Sequence, residues 1–403
     1  MGRKRRALLF PNTNTLSHFT RALSVAEWLD AHGFEAHIGL SYSRRFWAAR
    51  FYNRCHRISE LWEPSGIPFP CLKWFSNKNH IQKCIESQEV LIREIKPDVI
   101  IAVFDFVSAV TSGNIPRISI NGYCMLPIYH GVLGFDEQQS PERDEQKRIF
   151  ENFWSFSAQP FIEPLYARNK PSVKHANELL VGDINCIYEI DAICCPQMER
   201  DTYRFVGPII WDGWDSLGEI PPWRHEPDKL TLYLNFGTLA KDKKMMNMLI
   251  RRCVSIGARV LVSSGMKGLI ETSDTVFCRP FISPRYATEI SDIVVCTGGV
   301  GSCYSNLLHG IPSLVIPTQP EQATNGLKMQ RAGCGRILTH NVIFIGDLQQ
   351  FNRAFDFAGF CTILNEMVTQ VRNNQFTRLP EIQQIVQQYP TRELIREAVN
   401  EVV

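Results

Sequence analysis

The sequence has no long hydrophobic run. Nowhere in its 403 residues does an apolar segment approach the ~20 residues that a membrane-spanning helix requires. The first apolar run, Ala7–Phe10, stops at Pro11 and is too short for the core of a signal peptide. These absences predict a cytoplasmic protein whose first β-strand is Ala7–Phe10.

A large charge of one sign is also missing. The formal net charge is +2, which gives no overall attraction for nucleic acid. Two local basic clusters remain, Arg3–Arg6 and Arg44–Arg45, the second followed by Phe46–Trp47. They would suit peripheral contact with an anionic membrane surface, although an exposed basic face without a role is the simpler interpretation.

Organised metal-ligand or disulfide spacing is absent as well. The 13 cysteines are scattered, no pair of CxxC motifs occurs, and the adjacent Cys194–Cys195 lies in an apolar run. His130, His175 and His225 have no ligand-like spacing either. We therefore expect reduced, mostly buried cysteines and no metal site.

The sequence does contain a repeated alternation of strand-like and helical patterns. Val99–Phe104 is a continuous apolar run of strand length, typical of a parallel strand buried on both faces. Comparable runs recur before and after Phe205–Trp223, which is rich in Gly, Pro and Trp and resembles a linker. The pattern predicts an α/β protein with two Rossmann-like domains in tandem.

The linker sets the predicted domain boundaries. Residues 1–207 would form an N-terminal domain, 208–228 the linker, 229–385 a C-terminal domain, and 386–403 a helix that packs back on the N-terminal domain. Residues 127–200 are less regular and rich in aromatic side chains. They would either pack as a helical insertion on their own domain or line a pocket for an apolar or flat ligand.

A glycine-rich turn stands where a strand becomes a helix, within Cys296–Gln322, CTGGVGSCYSNLLHGIPSLVIPTQPEQ. Glycines here let backbone N–H groups approach an anion closely, and the helix N-terminus adds partial positive charge. Gly298, Gly299 and Gly301 would do this, and the Ser302 hydroxyl adds a donor. The arrangement suits a diphosphate, although a tight turn without a ligand would use the same glycines.

Polar side chains follow the next strand, which ends at Pro317. Glu321 and Gln322 stand just beyond it, and Asn325 is one helical turn further on. In open α/β sheets ligands bind at this carboxyl end of the strands. A carboxylate and an amide there suit the vicinal hydroxyls of a sugar, and Asn325 would join them.

Thr297–Asn325 resembles the donor signature of family-1, UDP-glycosyltransferase-like glycosyltransferases. Ser17–Ala26 resembles the family's G-H-x-x-P-x-L-x-L-A segment, and Pro97–Ile101 its P-D strand. Phe205–Pro208 resembles the linker element, and Leu234–Thr238 the first C-terminal strand. The resemblance covers nearly the whole chain in the right order. It implies the GT-B fold, with an acceptor-binding N-terminal domain and a nucleotide-sugar-binding C-terminal domain across a cleft.

The resemblance implies a donor site from which this sequence departs. Thr297 replaces a histidine that contacts the α-phosphate. Ser305 replaces a glutamate that holds the ribose, a role that Ser305 or Asn306 would fill less strongly, and Glu321 replaces an aspartate. These changes imply an unusual nucleotide-sugar or weakened or lost activity. The implied donor-binding residues are Gly237, Thr238, Phe281, Thr297, Gly298, Gly299, Gly301, Ser302, Ser305, Asn306, Glu321 and Gln322.

The resemblance also implies the catalytic residues of an inverting transfer. His18 would be the base, because imidazole has a pKa of about 6.5 and the family carries its base at this position. Asp105, at the end of the Val99–Phe104 strand, would orient that imidazole as a carboxylate does in triads. No metal is implied, because no DxD motif occurs near the cleft and a helix N-terminus can stabilise the leaving group.

The predicted function is inverting glycosyl transfer from a UDP- or dTDP-sugar to a hydroxyl or similar group of a small-molecule or lipid-like acceptor. The nucleotide-sugar is the substrate, and no separate cofactor or nucleic acid is expected. Two alternatives stay open. One is a nucleotide-sugar epimerase or hydrolase on the same fold. The other is a non-catalytic binding subunit, which Thr297 and Ser305 favour, whereas His18 and Ser302 favour transfer.

Overall fold

The fold consists of two parallel β-sheets whose strands alternate with helices. The computed structural model describes residues 3–41, 48–63, 70–195, 201–236, 243–264, 266, 268–338 and 355–403. Among the helices of these ranges, none combines the length and the apolar character needed to cross a bilayer.

The first sheet lies in the N-terminal half of the chain. Its strands are β1 Arg6–Pro11, β2 Glu35–Leu40, β3 Cys55–Arg57, β4 Val99–Val103, β5 Arg117–Asn121, β6 Ile184–Ile187 and β7 Tyr203–Phe205. They pair in parallel in the order β3-β2-β1-β4-β5-β6-β7. Every residue of β4 is buried, as its apolar sequence predicts for a strand covered on both faces.

The second sheet repeats this plan in the C-terminal half. Its strands are β8 Thr231–Asn235, β9 Arg259–Ser263, β10 Val276–Arg279, β11 Ile293–Cys296, β12 Ser313–Val315 and β13 Gly335–Ile337. They are parallel in the order β10-β9-β8-β11-β12-β13. The order in which strands are added to the sheet therefore reverses between β8 and β11, as it does between β1 and β4 in the first sheet.

Helices connect the strands in both halves. In the first half they are α1 Leu16–Ala31, α2 Lys73–Ser76, α3 Lys78–Ile95, α4 Ser108–Thr111, α5 Pro141–Tyr166 and α6 Asp191–Cys194. In the second half they are α7 Lys243–Ser255, α8 Pro284–Glu289, α9 Val300–Leu308, α10 Pro320–Arg331, α11 Phe357–Arg372, α12 Leu379–Gln388 and α13 Thr391–Val402.

The aromatic segment within residues 127–200 forms the long helix α5. Ser140 caps its start by accepting the Arg143 N–H, and Pro141 occupies the first helical position. Four of its aromatic side chains are buried in one cluster of the N-terminal half: Phe150, Phe153, Trp154 and Phe161. The structure therefore favours packing of this segment on its own domain.

Direct contacts join the two halves. The C-terminal helix α13 packs against α1 and β6. The Tyr304 hydroxyl of α9 accepts a hydrogen bond from the Ile190 N–H at 2.9 Å, and the Thr324 hydroxyl of α10 accepts one from the Gly134 N–H at 2.8 Å. These bonds set α9 and α10 against the carboxyl ends of the first sheet.

Candidate active site

The predicted site residues follow the strands at which each sheet reverses its order. His18 lies in α1 directly after β1, and Asp105 follows the neighbouring strand β4. Thr297 follows β11, the neighbour of β8. Ligands of open α/β sheets bind at such reversal points. Gly237 and Thr238, predicted to follow β8, lie outside the described residues.

The turn before α9 requires one glycine and leaves space around two others. Gly298 has a φ of +86°, and a Cβ there would lie 2.6 Å from Val315 Cγ1. A larger residue at 298 would therefore be both strained and crowded. A Cβ on Gly299 or Gly301 would have no atom within 4 Å, so the start of α9 borders open space.

The buried Asn325 orients this turn. Its Nδ2 donates to the Gly298 carbonyl at 2.9 Å. Because the C=O and N–H of a trans peptide point in opposite directions, the Gly299 N–H points away from Asn325. Among the described residues no side chain caps α9 at Gly299, so none competes there for the backbone N–H groups that the sequence predicts to bind a diphosphate.

The other predicted residues of α9 have different surroundings. Thr297 is buried at the end of β11, whereas Ser302 and Ser305 are partly exposed. Asn306 is buried, and its Nδ2 donates to Ser313 Oγ at 2.9 Å. Its amide joins α9 to β12 inside the fold, and the predicted part of Asn306 in holding the ribose stays a prediction.

The two residues of the predicted carboxylate–amide pair, Gln322 and Glu321, have different surroundings. Gln322 is buried, and its Oε1 accepts both the Thr318 N–H and the Thr318 hydroxyl at 2.9 Å, which fixes the loop before α10. Glu321 is partly exposed beside Asn325, whose Nδ2 lies 3.4 Å from Glu321 Oε1. Burial raises the pKa of Glu321, while the charge of Arg21 opposes that rise.

Phe281 lies just beyond β10 and is partly buried. Its carbonyl accepts the Glu219 N–H at 3.2 Å, a contact between the linker and the second sheet. The predicted part of Phe281 in donor binding stays a prediction.

His18, the predicted base, lies between an aromatic ring and a cation. Its imidazole stacks on Phe104, with 5.0 Å between ring centroids and 11° between planes. Its Nδ1 lies 3.3 Å from Arg21 Nη1. Burial, and then the Arg21 charge, hold the pKa of His18 well below its ordinary value. The imidazole is therefore neutral at neutral pH, as a base requires.

The carboxylate of Asp105 accepts its hydrogen bonds from Ser108 and Gln88 and not from His18. Its Oδ2 accepts the Ser108 N–H at 2.7 Å, and its Oδ1 accepts from Gln88 Nε2 at 3.2 Å. Burial raises the pKa of Asp105 against these hydrogen bonds. The described structure thus brings His18 and Asp105 to neighbouring strand ends without a hydrogen bond between them, and the catalytic pairing stays a prediction.

The contact with Arg21 decides where His18 carries its proton. A guanidinium has five N–H donors and no acceptor. Nδ1 of His18 must therefore accept, and the proton of the neutral imidazole lies on Nε2. A carboxylate partner would select the opposite tautomer, as in triads.

A buried ion pair fixes α10 against the first sheet. Lys328 Nζ lies 2.7 Å from Glu189 Oε2, and both side chains are almost fully buried. Glu189 also accepts the Tyr123 N–H at 2.7 Å and contacts Cys194 Sγ at 3.1 Å. Burial opposes ionisation of Glu189, but Lys328 and these hydrogen bonds outweigh it and lower the pKa of the carboxyl.

Sequence reasoning missed Arg21, Glu189 and Lys328. A signal for Arg21 was present, because it stands where the G-H-x-x-P pattern of the resembling family has proline. Glu189 and Lys328 lie in segments whose local sequence gives no indication that they meet.

Known proteins provide an independent comparison. No family model matches the chain. The sequence is 22% identical to a PGL/p-HBAD biosynthesis glycosyltransferase of Mycobacterium tuberculosis, over 84% of this chain and 82% of that protein. The fold matches the glycotransferase of kitacinnamycin with a TM-score of 0.73 at 13% identity, covering 100% of both chains. A spinosyn rhamnosyltransferase complexed with thymidine diphosphate matches with a TM-score of 0.67 at 13% identity, covering 98% and 100%.

Two parallel sheets, each of which reverses its strand order once, are the architecture of the GT-B fold. The comparisons confirm this fold and the resemblance to family-1 glycosyltransferases.

Proposed function

We propose that the protein is an inverting glycosyltransferase that uses a UDP- or dTDP-sugar, without a metal ion, and a small-molecule or lipid-like acceptor. The start of α9 carries this proposal. Gly299 and Gly301 border open space there, and Asn325 turns the Gly298 carbonyl away. The thymidine diphosphate bound by one structural neighbour supports the nucleotide part.

The C-terminal half would bind the donor. Backbone N–H groups at Gly299 and Gly301, with the Ser302 hydroxyl, would hold the diphosphate and stabilise the charge that develops when the bond to the sugar breaks. The helix N-terminus would supply the positive charge that a metal ion supplies elsewhere. Glu321 would accept hydrogen bonds from sugar hydroxyls.

The N-terminal half would activate the acceptor. His18 would take the proton of the acceptor hydroxyl while the oxygen attacks the anomeric carbon from the face opposite the diphosphate, which inverts its configuration. The electron pair of the neutral imidazole lies on Nδ1, where Arg21 donates. Base action therefore requires Arg21 to release Nδ1. Asp105 would hold the helix start at Ser108 and add negative charge near the imidazole.

Calorimetric titration with UDP, dTDP and GDP, and then with their sugar conjugates, tests the proposal. Selective micromolar binding of one diphosphate supports it. A matched Gly299→Val variant should keep the fold and lose that binding, because its side chain would occupy the open space at α9. Transfer with EDTA present, and the anomeric configuration of the product by NMR, then test metal independence and inversion.

A non-catalytic binding subunit is the second candidate. It is favoured by the separation of His18 from Asp105 and by Thr297 and Ser305 at positions where the family has stronger donor ligands. Folded protein that binds none of the nucleotides would support this candidate and contradict glycosyl transfer.

A further inference from the structure

Within the described residues, Arg21 is a buried cation that forms no ion pair. Its side chain belongs to a residue that is 4% exposed, and among the ion pairs of the described chain none includes it. A buried charge is costly unless an opposite charge or several hydrogen bonds compensate it. Lys328, another buried cation, is paired with the carboxylate of Glu189.

The surroundings hold the guanidinium in place without neutralising it. Its Cζ lies 3.7 Å from the centroid of the Tyr188 ring, so the two flat groups stack. Nη1 contacts His18 Nδ1 at 3.3 Å, which uses one of the five N–H donors. When the flat face of a guanidinium is stacked on a ring, its N–H groups stay available at the edge of the plane. Two of these N–H groups match the spacing of the two oxygens of a carboxylate.

Contacts connect Arg21 with the helix of Glu321, because Arg21 stacks on Tyr188 and the next residue, Glu189, pairs with Lys328 of α10. Burial raises the pKa of Glu321 and the Arg21 charge opposes that rise, and the two side chains form no ion pair within the described residues. These contacts and the electrostatic effect of Arg21 on Glu321 place both side chains beside one region between the two halves. His18 borders that region from the acceptor side.

We propose that Arg21 binds a carboxylate of the substrate, carried either by the transferred sugar, as in a uronic acid, or by the acceptor. The inference rests on the proposed function, because Glu321 and His18 mark a sugar side and an acceptor side only in a glycosyltransferase. The diphosphate has its own donors at the start of α9, so Arg21 is left for a second anion.

The carboxylate would also change His18. A carboxylate is a stronger acceptor for the guanidinium than a neutral imidazole, so its binding draws Nη1 away from Nδ1. The electron pair of the imidazole then becomes available to the acceptor hydroxyl. A substrate without the carboxylate would leave His18 engaged with Arg21.

Two pairs of compounds that differ by one carboxylate distinguish the sources. UDP-glucose and UDP-glucuronate (or the dTDP pair, if dTDP binds) probe the sugar, and phenol and 4-hydroxybenzoate probe the acceptor. We expect the acidic member of one pair to bind about 10–100-fold more tightly, the effect of one charge-assisted bidentate contact. Arg21→Gln should abolish this preference, and Arg148→Gln, which changes an exposed arginine of α5, should preserve it.

Equal affinity within both pairs, or a preference that survives Arg21→Gln, overturns the inference. The proposed function is not affected by either result as long as a nucleotide binds. If Arg21→Gln weakens UDP itself by the same factor, Arg21 serves the diphosphate and the carboxylate assignment is wrong.

If no nucleotide binds, the proposed function fails, and thermal unfolding decides the inference separately. Glucuronate should then raise the melting temperature of the wild type more than glucose does, and equal shifts contradict the subsite. Should Arg21→Gln not fold, Arg21→Met replaces it.

Discussion

The two sides of the candidate site are built in different ways. On the C-terminal side, the turn at Gly298, the loop at Thr318 and the side chain of Asn325 all lie within residues 297–325. On the N-terminal side, His18 is surrounded by Arg21 from its own helix, Phe104 from the end of β4, and the Tyr188 ring that holds Arg21. The first side is local in sequence, and the second is assembled by the tertiary fold.

This difference explains which departures from the family pattern matter. On the C-terminal side, Thr297 and Ser305 would weaken the proposed donor contacts, but the backbone N–H groups proposed to bind the diphosphate do not depend on side-chain identity. On the N-terminal side, one substitution at Arg21 changes the charge, the pKa and the tautomer of the predicted base. We therefore expect nucleotide binding and catalysis to be separable by mutation.

The largest effect should come from His18→Ala. Removal of a general base typically costs about 10²–10⁴-fold in rate, whereas the diphosphate site at α9 stays unchanged. Transfer rate and nucleotide affinity, measured on the same preparation, check the prediction. A transfer rate close to that of the wild type would show that His18 is not the base, and a parallel loss of nucleotide affinity would show that the two sides are not separable.

The next largest effect concerns the bond between the two sides. Lys328→Ala leaves Glu189 buried without its partner, and we expect a loss of about 3–5 kcal/mol in the free energy of unfolding. The double variant Glu189→Gln, Lys328→Met removes both charges and should lose much less. Denaturant titrations of the single and double variants measure the coupling. Additive losses would mean that the pair contributes little to joining the domains.

Two neighbouring glycines should behave differently on the C-terminal side. Gly298→Ala meets a positive φ and crowds Val315, so we expect about 1–3 kcal/mol of destabilisation together with weaker nucleotide binding. Gly299→Ala has a φ of −60° and open space, and should keep the melting temperature. Thermal unfolding and calorimetry on both variants check this. Equal melting temperatures would mean that the turn relaxes easily around residue 298.

Much of the fold could be predicted from the sequence. The apolar run at Val99–Phe104 gave a buried central strand because such runs fit a sheet covered on both faces. The glycine turn before α9 could be located because it requires a residue without a side chain at Gly298. Both features depend on interactions within a short segment.

The side-chain environments could not be predicted in the same way. Asn306 faces the interior because Ser313 approaches it from the next strand, and no local pattern gives the orientation of that face of α9. Asp105 bonds to Gln88 from α3, and Arg21 stacks on Tyr188 from the end of β6. Each contact depends on tertiary packing, which fixes charge and tautomer after the elements are placed.

Ser302→Ala should have a modest effect. Loss of one hydroxyl hydrogen bond to a diphosphate corresponds to about 0.5–1.5 kcal/mol, or roughly 2–10-fold in affinity, because the backbone donors of α9 remain. Calorimetry with the preferred diphosphate measures it, with Ser305→Ala as the control from the same helix. A loss above 100-fold would mean that the side chain, rather than the backbone, carries the site.

The smallest effect should be a displacement along the pH axis. A base acts when it is neutral, so activity persists down to the pKa of His18, which burial and then Arg21 hold well below 6.5. Arg21→Gln removes the second of these causes, so the pKa rises and the acidic limb of the pH–rate profile moves to higher pH. The limb should still lie below that of an exposed histidine, because burial against Phe104 remains.

The position of the limb is independent of the maximal rate, so it can be compared even if Arg21→Gln lowers that rate. An unmoved limb would mean that another group controls acid inactivation, and the N-terminal side would then owe its pH dependence to Asp105 or to the substrate.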